Sequence, residues 1–275
     1  MSEPRSGWIA GEPRLHYLEW RRLGGAVLVL VHGNSANAWW WRPLAEQLAD
    51  FPGRIIAIDL RGHGDSEWVR PPAYRPTAYA EDLSRLVEHL GLERPLIAGH
   101  SAGGLATLAY AQAFPQRARA LVTIDIPVTS SARRDRYLRH LKALPVVVYP
   151  DLATAKNKFR LMPDEGEISR ALLDEIAERS LTETPTGGFT MKFDRESFFG
   201  GDGLDVAAAL REVRVPLLLV RAAESRILRA EAAAQAVASN GHIKLVTLPR
   251  VHHHVPLEAP HALAQALMEF INSLG

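Results

Sequence analysis

Residues 99–103, Gly99-His100-Ser101-Ala102-Gly103, stand between an apolar run at 95–98 and a helix-like stretch at 104–114. A strand that becomes a helix within five residues leaves its central residue in a strained backbone conformation. Glycines on either side remove the side chains that would collide there. The serine hydroxyl then stands at the carboxyl edge of a sheet, above the N-terminus of a helix. The five-residue pattern alone arises by chance in unrelated chains, so its flanks carry the argument, and here both are present.

The rest of the chain supplies the sheet that such a turn needs. Short β-rich runs alternate with longer helical ones, the pattern of a parallel sheet covered by helices. Residues 15–20, 26–31, 54–59, 96–98, 119–125, 216–221 and 243–248 read as strands. Residues 79–90 have helical spacing, with Leu83, Leu86, Val87 and Leu90 on one stripe and Gly91 to end it. Residues 229–239 and 260–274 read as further helices. The alternation fails between 127 and 213, where amphipathic helical pieces are broken by Pro145, Pro150, Pro163 and Pro185. The expected organisation is a core of residues 1–127 and 214–275 carrying a helical lid inserted at 128–213.

Composition narrows the function classes. At 275 residues, 47% hydrophobic, the chain is long enough for one large α/β domain with an insertion. Lysine and arginine number 32 against 31 acidic residues, so no global charge argues for nucleic acid or an anionic membrane. The absence of cysteine excludes disulfides, thiol nucleophiles and cysteine metal sites. No apolar run is long enough to span a bilayer, and residues 1–12 lack the apolar stretch of a signal peptide. The expectation is a soluble cytoplasmic protein with a small-molecule substrate and neither nucleic acid nor membrane as partner; its oligomeric state is open.

A serine between strand and helix in a Gly-x-Ser-x-Gly turn is the signature of a nucleophile elbow. Such a serine needs a base, an acid to orient that base, and donors for a developing oxyanion. Three consecutive histidines follow the last strand, in Val251-His252-His253-His254-Val255-Pro256-Leu257-Glu258. Adjacent residues point in different directions and chelate one ion poorly, so no metal is expected. Together with His32-Gly33-Asn34 after an apolar strand and Asp59-Leu60-Arg61-Gly62-His63-Gly64-Asp65-Ser66, these motifs resemble the α/β-hydrolase superfamily, of the esterase, lactonase and C–C hydrolase kind. The resemblance covers nearly the whole chain.

The resemblance implies an α/β-hydrolase fold, a mostly parallel sheet flanked by helices with a helical cap after the strand that follows the serine's helix. It implies Ser101 as nucleophile and, by alignment of Val255-Pro256-Leu257-Glu258, His253 as base. The Asn34 and Ala102 N–H groups would form the oxyanion hole, and His32, Trp39 and His100 would lie at the substrate. No cofactor is implied. An aspartate nucleophile, which dehalogenases and epoxide hydrolases of this fold require, is absent at position 101.

The acid departs from the pattern. Where the superfamily usually reads Arg-Gly-x-x-Ser-Asp, this chain has Arg221-Ala222-Ala223-Glu224-Ser225-Arg226, and arginine cannot accept a hydrogen bond. Asp125, ending the strand beside the serine's own, is the favoured replacement; Glu224 is the alternative, and a site without an effective acid stays open. Arg133, Arg134, Arg136, Arg139 and Lys142 read as a solvated helix face, with anion recognition as the alternative. Leu138, Leu141, Leu144, Phe159, Leu161, Met162, Phe198 and Phe199 give the insertion apolar surface for an uncharged substrate. The expected function is hydrolysis of an ester, thioester or lactone through an acyl-enzyme. The alternatives are other chemistry on the same residues (a C–C hydrolase, a hydroxynitrile lyase, a cofactor-free oxygenase) or a non-catalytic ligand-binding receptor.

Overall fold

Strands buried on both faces need a hydrophobic side chain at every position, which is why the central runs of this chain are continuously apolar. The structure is a computed structural model that describes residues 3–20, 25–129, 132–198 and 203–275. Its strands, in chain order, are β1 (Arg5–Ile9), β2 (Leu15–Trp20), β3 (Ala26–Val31), β4 (Gly53–Ile58), β5 (Leu96–His100), β6 (Ala120–Ile124), β7 (Leu181–Glu183), β8 (Phe189–Met191), β9 (Leu217–Ala222) and β10 (Ile243–Leu248). Eight of them form one sheet in the order β1-β2-β4-β3-β5-β6-β9-β10, and β7 and β8 make a separate hairpin. Only the β1–β2 and β2–β4 pairings in the large sheet are antiparallel. From β4 to β10 every neighbour is parallel.

Side chains alternate between two cores. Val29, Val31, Ile56, Ile58, Ile97, Leu121, Leu217 and Leu219 belong to one buried cluster. Their chain neighbours Leu28, Leu30, Ile55, Ala57, Ala98, Val122, Leu218 and Val220 belong to the other. The helices are α1 (Arg42–Gln47), α2 (Pro76–His89), α3 (Ala102–Ala113), α4 (Ala132–Ala143), α5 (Leu152–Lys158), α6 (Arg170–Ser180), α7 (Val206–Glu212), α8 (Ala230–Ser239), α9 (Val255–Glu258) and α10 (Pro260–Asn272). Residues of α2, α3, α7 and α8 close the first core, and those of α1 and α10 close the second. Among the described residues no helix is long and apolar enough to cross a membrane.

The residues expected as a lid divide. Helices α5 and α6 and strand β7 build their own cluster, with Ala155, Phe159, Ile176, Ala177 and Leu181 packed on Ala36, Trp40 and Leu257 of the core. The end of the segment behaves otherwise. Ala209, Leu210 and Val213 share one face of and beyond α7 and lie in the core cluster with α3. Helix α7 thus packs as part of the core, whereas α5 and α6 share a separate cluster. Three strands escape the pattern in the sequence: β1, a mostly exposed edge strand, and the three-residue β7 and β8 of the hairpin.

Helix α3 starts so close to β3 that residue 103 has no room for a side chain. A Cβ on Gly103 would fall 2.2 Å from the Val31 carbonyl oxygen, and one on Gly99 would fall 2.2 Å from the Gly103 carbonyl oxygen. Both obstacles are backbone, which cannot rotate away. Gly103→Ala should therefore lower the midpoint of urea unfolding by an amount equivalent to at least the about 1–3 kcal/mol typical of overpacking. An unchanged midpoint would show that α3 can slide off β3.

Candidate active site

Parallel register brings the site's parts to one sheet edge. His100 pairs with Ile124, so the next residues, Ser101 and Asp125, leave neighbouring strands side by side. Ser101 has φ 52° and ψ −118°, a conformation few non-glycine residues hold, at a cost of about 1–3 kcal/mol. Its N–H donates to the Ile124 carbonyl at 2.9 Å, and its own carbonyl accepts from the Gly104 and Leu105 N–H groups that open α3. Asp125, with φ 46°, is fixed likewise by its N–H on the Val220 carbonyl at 2.8 Å.

Between them lies His253. Its Nδ1 is 2.7 Å from Asp125 Oδ2 and its Nε2 is 3.1 Å from Ser101 Oγ. With the proton on Nδ1 donated to the carboxylate, Nε2 is left to accept from the serine hydroxyl. Ser225 Oγ donates to the same Oδ2 at 2.5 Å. Asp125 and His253 are both buried. Burial raises the Asp125 carboxyl to about 6, against the Ser225 hydrogen bond that lowers it, and burial pushes the His253 imidazole down to about 4. Glu224 is exposed, and what connects it to the last strand's loop is its backbone N–H on the Val251 carbonyl.

The three consecutive histidines diverge to three different partners. His252 Nδ1 lies 2.9 Å from Glu258 Oε1, His253 faces Asp125, and His254 Nε2 donates to the Pro163 carbonyl at 2.7 Å. Glu165 adds a second tie, its carboxylate accepting from the His253 N–H at 3.2 Å. Pro163 and Glu165 precede α6, so the loop carrying His253 is hydrogen-bonded to the segment above it. Neither tie is signalled in the sequence beyond the presence of polar neighbours.

On the other side of Ser101, Gly33 approaches closely: a Cβ there would meet Ser101 Cβ at 3.1 Å and His100 Nδ1 at 3.2 Å. His32 is fully buried and bonded at both nitrogens. The Leu60 N–H donates to Nε2 at 3.1 Å, which puts the proton on Nδ1 for the Gly33 carbonyl at 2.7 Å. In a trans peptide, fixing that carbonyl also aims the Asn34 N–H the opposite way. Ala102 N–H belongs to the first turn of α3, whose amides have no intrahelical acceptor. His100, buried and held well below the ordinary imidazole range by burial, donates from Nε2 to the His253 carbonyl at 2.7 Å.

A cavity of about 120 Å³ opens over Ser101 and His253. Gly33, Asn34, Ala102 and His100 line it from the core; Leu138, Leu141, Met162, Pro163 and Phe198 line it from the inserted segment. Phe199 lies outside the described residues. His32 and Trp39, expected at the substrate, do not line the cavity. His32 is spent on Gly33 and Leu60, and the Trp39 ring carries the Arg179 guanidinium at 3.9 Å. Trp40 lines the cavity instead, its ring edge-on to His254 at 5.6 Å. Arg134, on the basic stretch, also lines it.

Among the described residues, one group of three side chains lies close enough to share an ion, His16, Asp59 and Asp65. These atoms are engaged with protein. Asp59 accepts from His16 Nδ1, the Ala38 N–H and the Asp65 N–H, and Asp65 pairs with Lys192 at 2.6 Å. The group braces the loops beside β3 and β4.

Comparison with known proteins bears on the family and the fold. The 2-(acetamidomethylene)succinate hydrolase of Mesorhizobium japonicum is 24% identical over 264 residues, covering 90% of this chain and 89% of the relative. Bifunctional epoxide hydrolase 2 of Sus scrofa is 23% identical over 97% of this chain, which spans 55% of that relative's length. The crystal structure of E-2-(acetamidomethylene)succinate hydrolase superposes with a TM-score of 0.85 at 24% identity, covering 98% of this chain and 99% of that one. A model of the alpha/beta hydrolase family matches residues 28–266, from β3 into α10 and so across every element that shapes the site. The chain belongs to the alpha/beta hydrolase family.

Proposed function

We propose that this protein is a serine hydrolase that cleaves an ester, thioester or lactone of a small organic molecule through an acyl-enzyme. The observation that carries the reading is the relay Ser101–His253–Asp125, at 3.1 and 2.7 Å, opening onto a largely apolar cavity. Ser101 Oγ attacks the carbonyl carbon as its proton passes to His253 Nε2. The Asn34 and Ala102 N–H groups hold the oxyanion, and backbone donors fixed by the fold need no reorganisation as charge develops. His253 then protonates the leaving group. In the second half it takes a proton from water, which attacks the acyl-enzyme and releases the acid and Ser101. Asp125 holds the imidazole tautomer and stabilises the imidazolium. Every step uses the chain's own residues.

The segment bearing α4 to α6 is the lid in this reading, its apolar side chains forming the wall that receives the substrate. The substrate in the relative's name, 2-(acetamidomethylene)succinate, is itself a small molecule, which supports that scale. Epoxide opening, in the name of the other relative, fits less well, because position 101 is serine and not the aspartate associated with that chemistry.

Three outcomes test the reading. A fluorophosphonate should label the wild type at Ser101, and Ser101→Ala should fold, escape labelling and lose p-nitrophenyl ester hydrolysis. Labelling that persists in Ser101→Ala, or wild type that neither labels nor turns over, sinks it, the latter in favour of a receptor. Asp125→Asn should cut kcat by up to about 10⁴-fold with little change in KM, the scale of the same substitution in serine proteases, whereas Glu224→Gln should change it little. The reverse ranking would assign the acid to Glu224.

The pH profile follows from burial. His253 must be neutral and Asp125 ionised. Acid removes the Asp125 charge through about 6 and, lower still, protonates His253 through about 4. Both losses lie on the acid side. A log kcat/KM profile should be level above neutrality and fall between those values, below the ordinary imidazole range. A profile that rises on acidification contradicts the assignment.

A further inference from the structure

Helix α4 carries a run of positive charge, and the structure sorts it by face. Arg133, Arg136, Arg139 and Lys142 are exposed, and Lys142 is paired with Glu196 at 2.6 Å. Arg134, Tyr137, Leu138 and Leu141 follow the spacing i, i+3, i+4, i+7 of a single helical stripe, and all four line the cavity above Ser101. Arg134 thus occupies a position where the rest of the stripe is largely apolar, with its side chain 23% exposed. Burial draws its guanidinium below the ordinary value, with its helix neighbour Asp135 acting in the opposite direction from 3.8 Å. An arginine stays charged in such surroundings.

The lining has a second property. Among the described residues that form the cavity wall there is no aspartate or glutamate, and Arg134 is the one lysine or arginine. Asp135, whose carboxylate stands 3.8 Å from that guanidinium, does not itself line the cavity. The planar guanidinium fork also matches a carboxylate in both spacing and direction.

We infer that the site selects substrates bearing a carboxylate, gripped by Arg134, with the intervening carbons on Leu138, Leu141 and Met162 and the scissile carbonyl at Ser101. The inference rests on the serine-hydrolase reading and replaces the expectation of an uncharged substrate with a carboxylate-tipped one.

The test compares substrates matched in length. Mono-p-nitrophenyl glutarate against p-nitrophenyl valerate probes the acyl side, and 4-carboxyphenyl acetate against 4-isopropylphenyl acetate probes the leaving group. In at least one pair, wild type should favour the charged member in kcat/KM by at least about tenfold, the scale of a charge-assisted hydrogen bond. That preference should shrink as salt is raised. Arg134→Met should abolish the ratio, whereas Arg139→Met, on the exposed face of the same helix, should keep it. Equal use of charged and neutral members by wild type, or a ratio that survives Arg134→Met, overturns the inference while leaving the hydrolase standing.

Calorimetry on Ser101→Ala separates the two ideas if no ester is turned over. Monomethyl glutarate should bind at least about tenfold tighter than dimethyl glutarate, and that advantage should vanish in Ser101→Ala/Arg134→Met. Lack of turnover together with lack of Ser101 labelling would remove the hydrolase reading alone. Equal binding of the two glutarates would remove the carboxylate.

Discussion

Close approach of backbone to backbone at the start of α3 is the constraint on which the site depends. Ser101 leaves β5 at φ 52° because the chain must reverse into α3 within one residue, and α3 can lie there only while Gly99 and Gly103 present no side chain. That contact sets the first turn of α3 against the end of β3. The same closeness brings Gly33 against Ser101, so the peptide that bears the Asn34 N–H is placed by the packing that places the hydroxyl. Strain at one residue is sustained by a helix, two strands and the two cores that clamp them.

Four histidines buried at the sheet edge each hydrogen-bond a different group, which gives each a distinct job. His32 fixes the Gly33 carbonyl, His100 fixes the His253 carbonyl, His253 spans Asp125 and Ser101, and His254 fixes Pro163. Burial keeps His32, His100, His253 and His254 toward the neutral form, and a neutral imidazole can donate from one nitrogen and accept at the other. Charged imidazoles would have two donors and no acceptor, and the Leu60 N–H bond to His32 would be lost.

The sheet and its serine turn are legible in the sequence because they rest on local rules. The continuous apolar run at 26–31 suits a doubly covered strand, and β3 begins and ends with it. Contacts made across the fold are less legible. Which of Trp39 and Trp40 meets the cavity depends on a short 3-10 turn at Ala38–Trp41, whose rotation no periodicity records. The role of His32 depends on Leu60, and that of His254 on Pro163, both contacts made across the fold. Arg134 reads as one of five surface cations until the stripe shared with Leu138 and Leu141 is set against a wall. Helix α7 has the amphipathic spacing of the helices before it, and its packing in the core cluster with α3 is what separates it from them.

The place of Asp125 has a mechanical consequence. An acid on a long loop after β9 would leave two of three side chains free to move relative to the serine. Here Ser101 and Asp125 follow paired residues of adjacent strands, and hydrogen bonds to Ile124 and Val220 hold both. Their separation is a lattice spacing of the sheet, as stiff as the sheet itself. His253 comes instead from a loop, which Glu165 and Pro163 hold from above and the His100 ring holds from the core. Lifting the overlying segment would therefore break two hydrogen bonds to the loop that carries the imidazole, at the His253 N–H and at His254 Nε2.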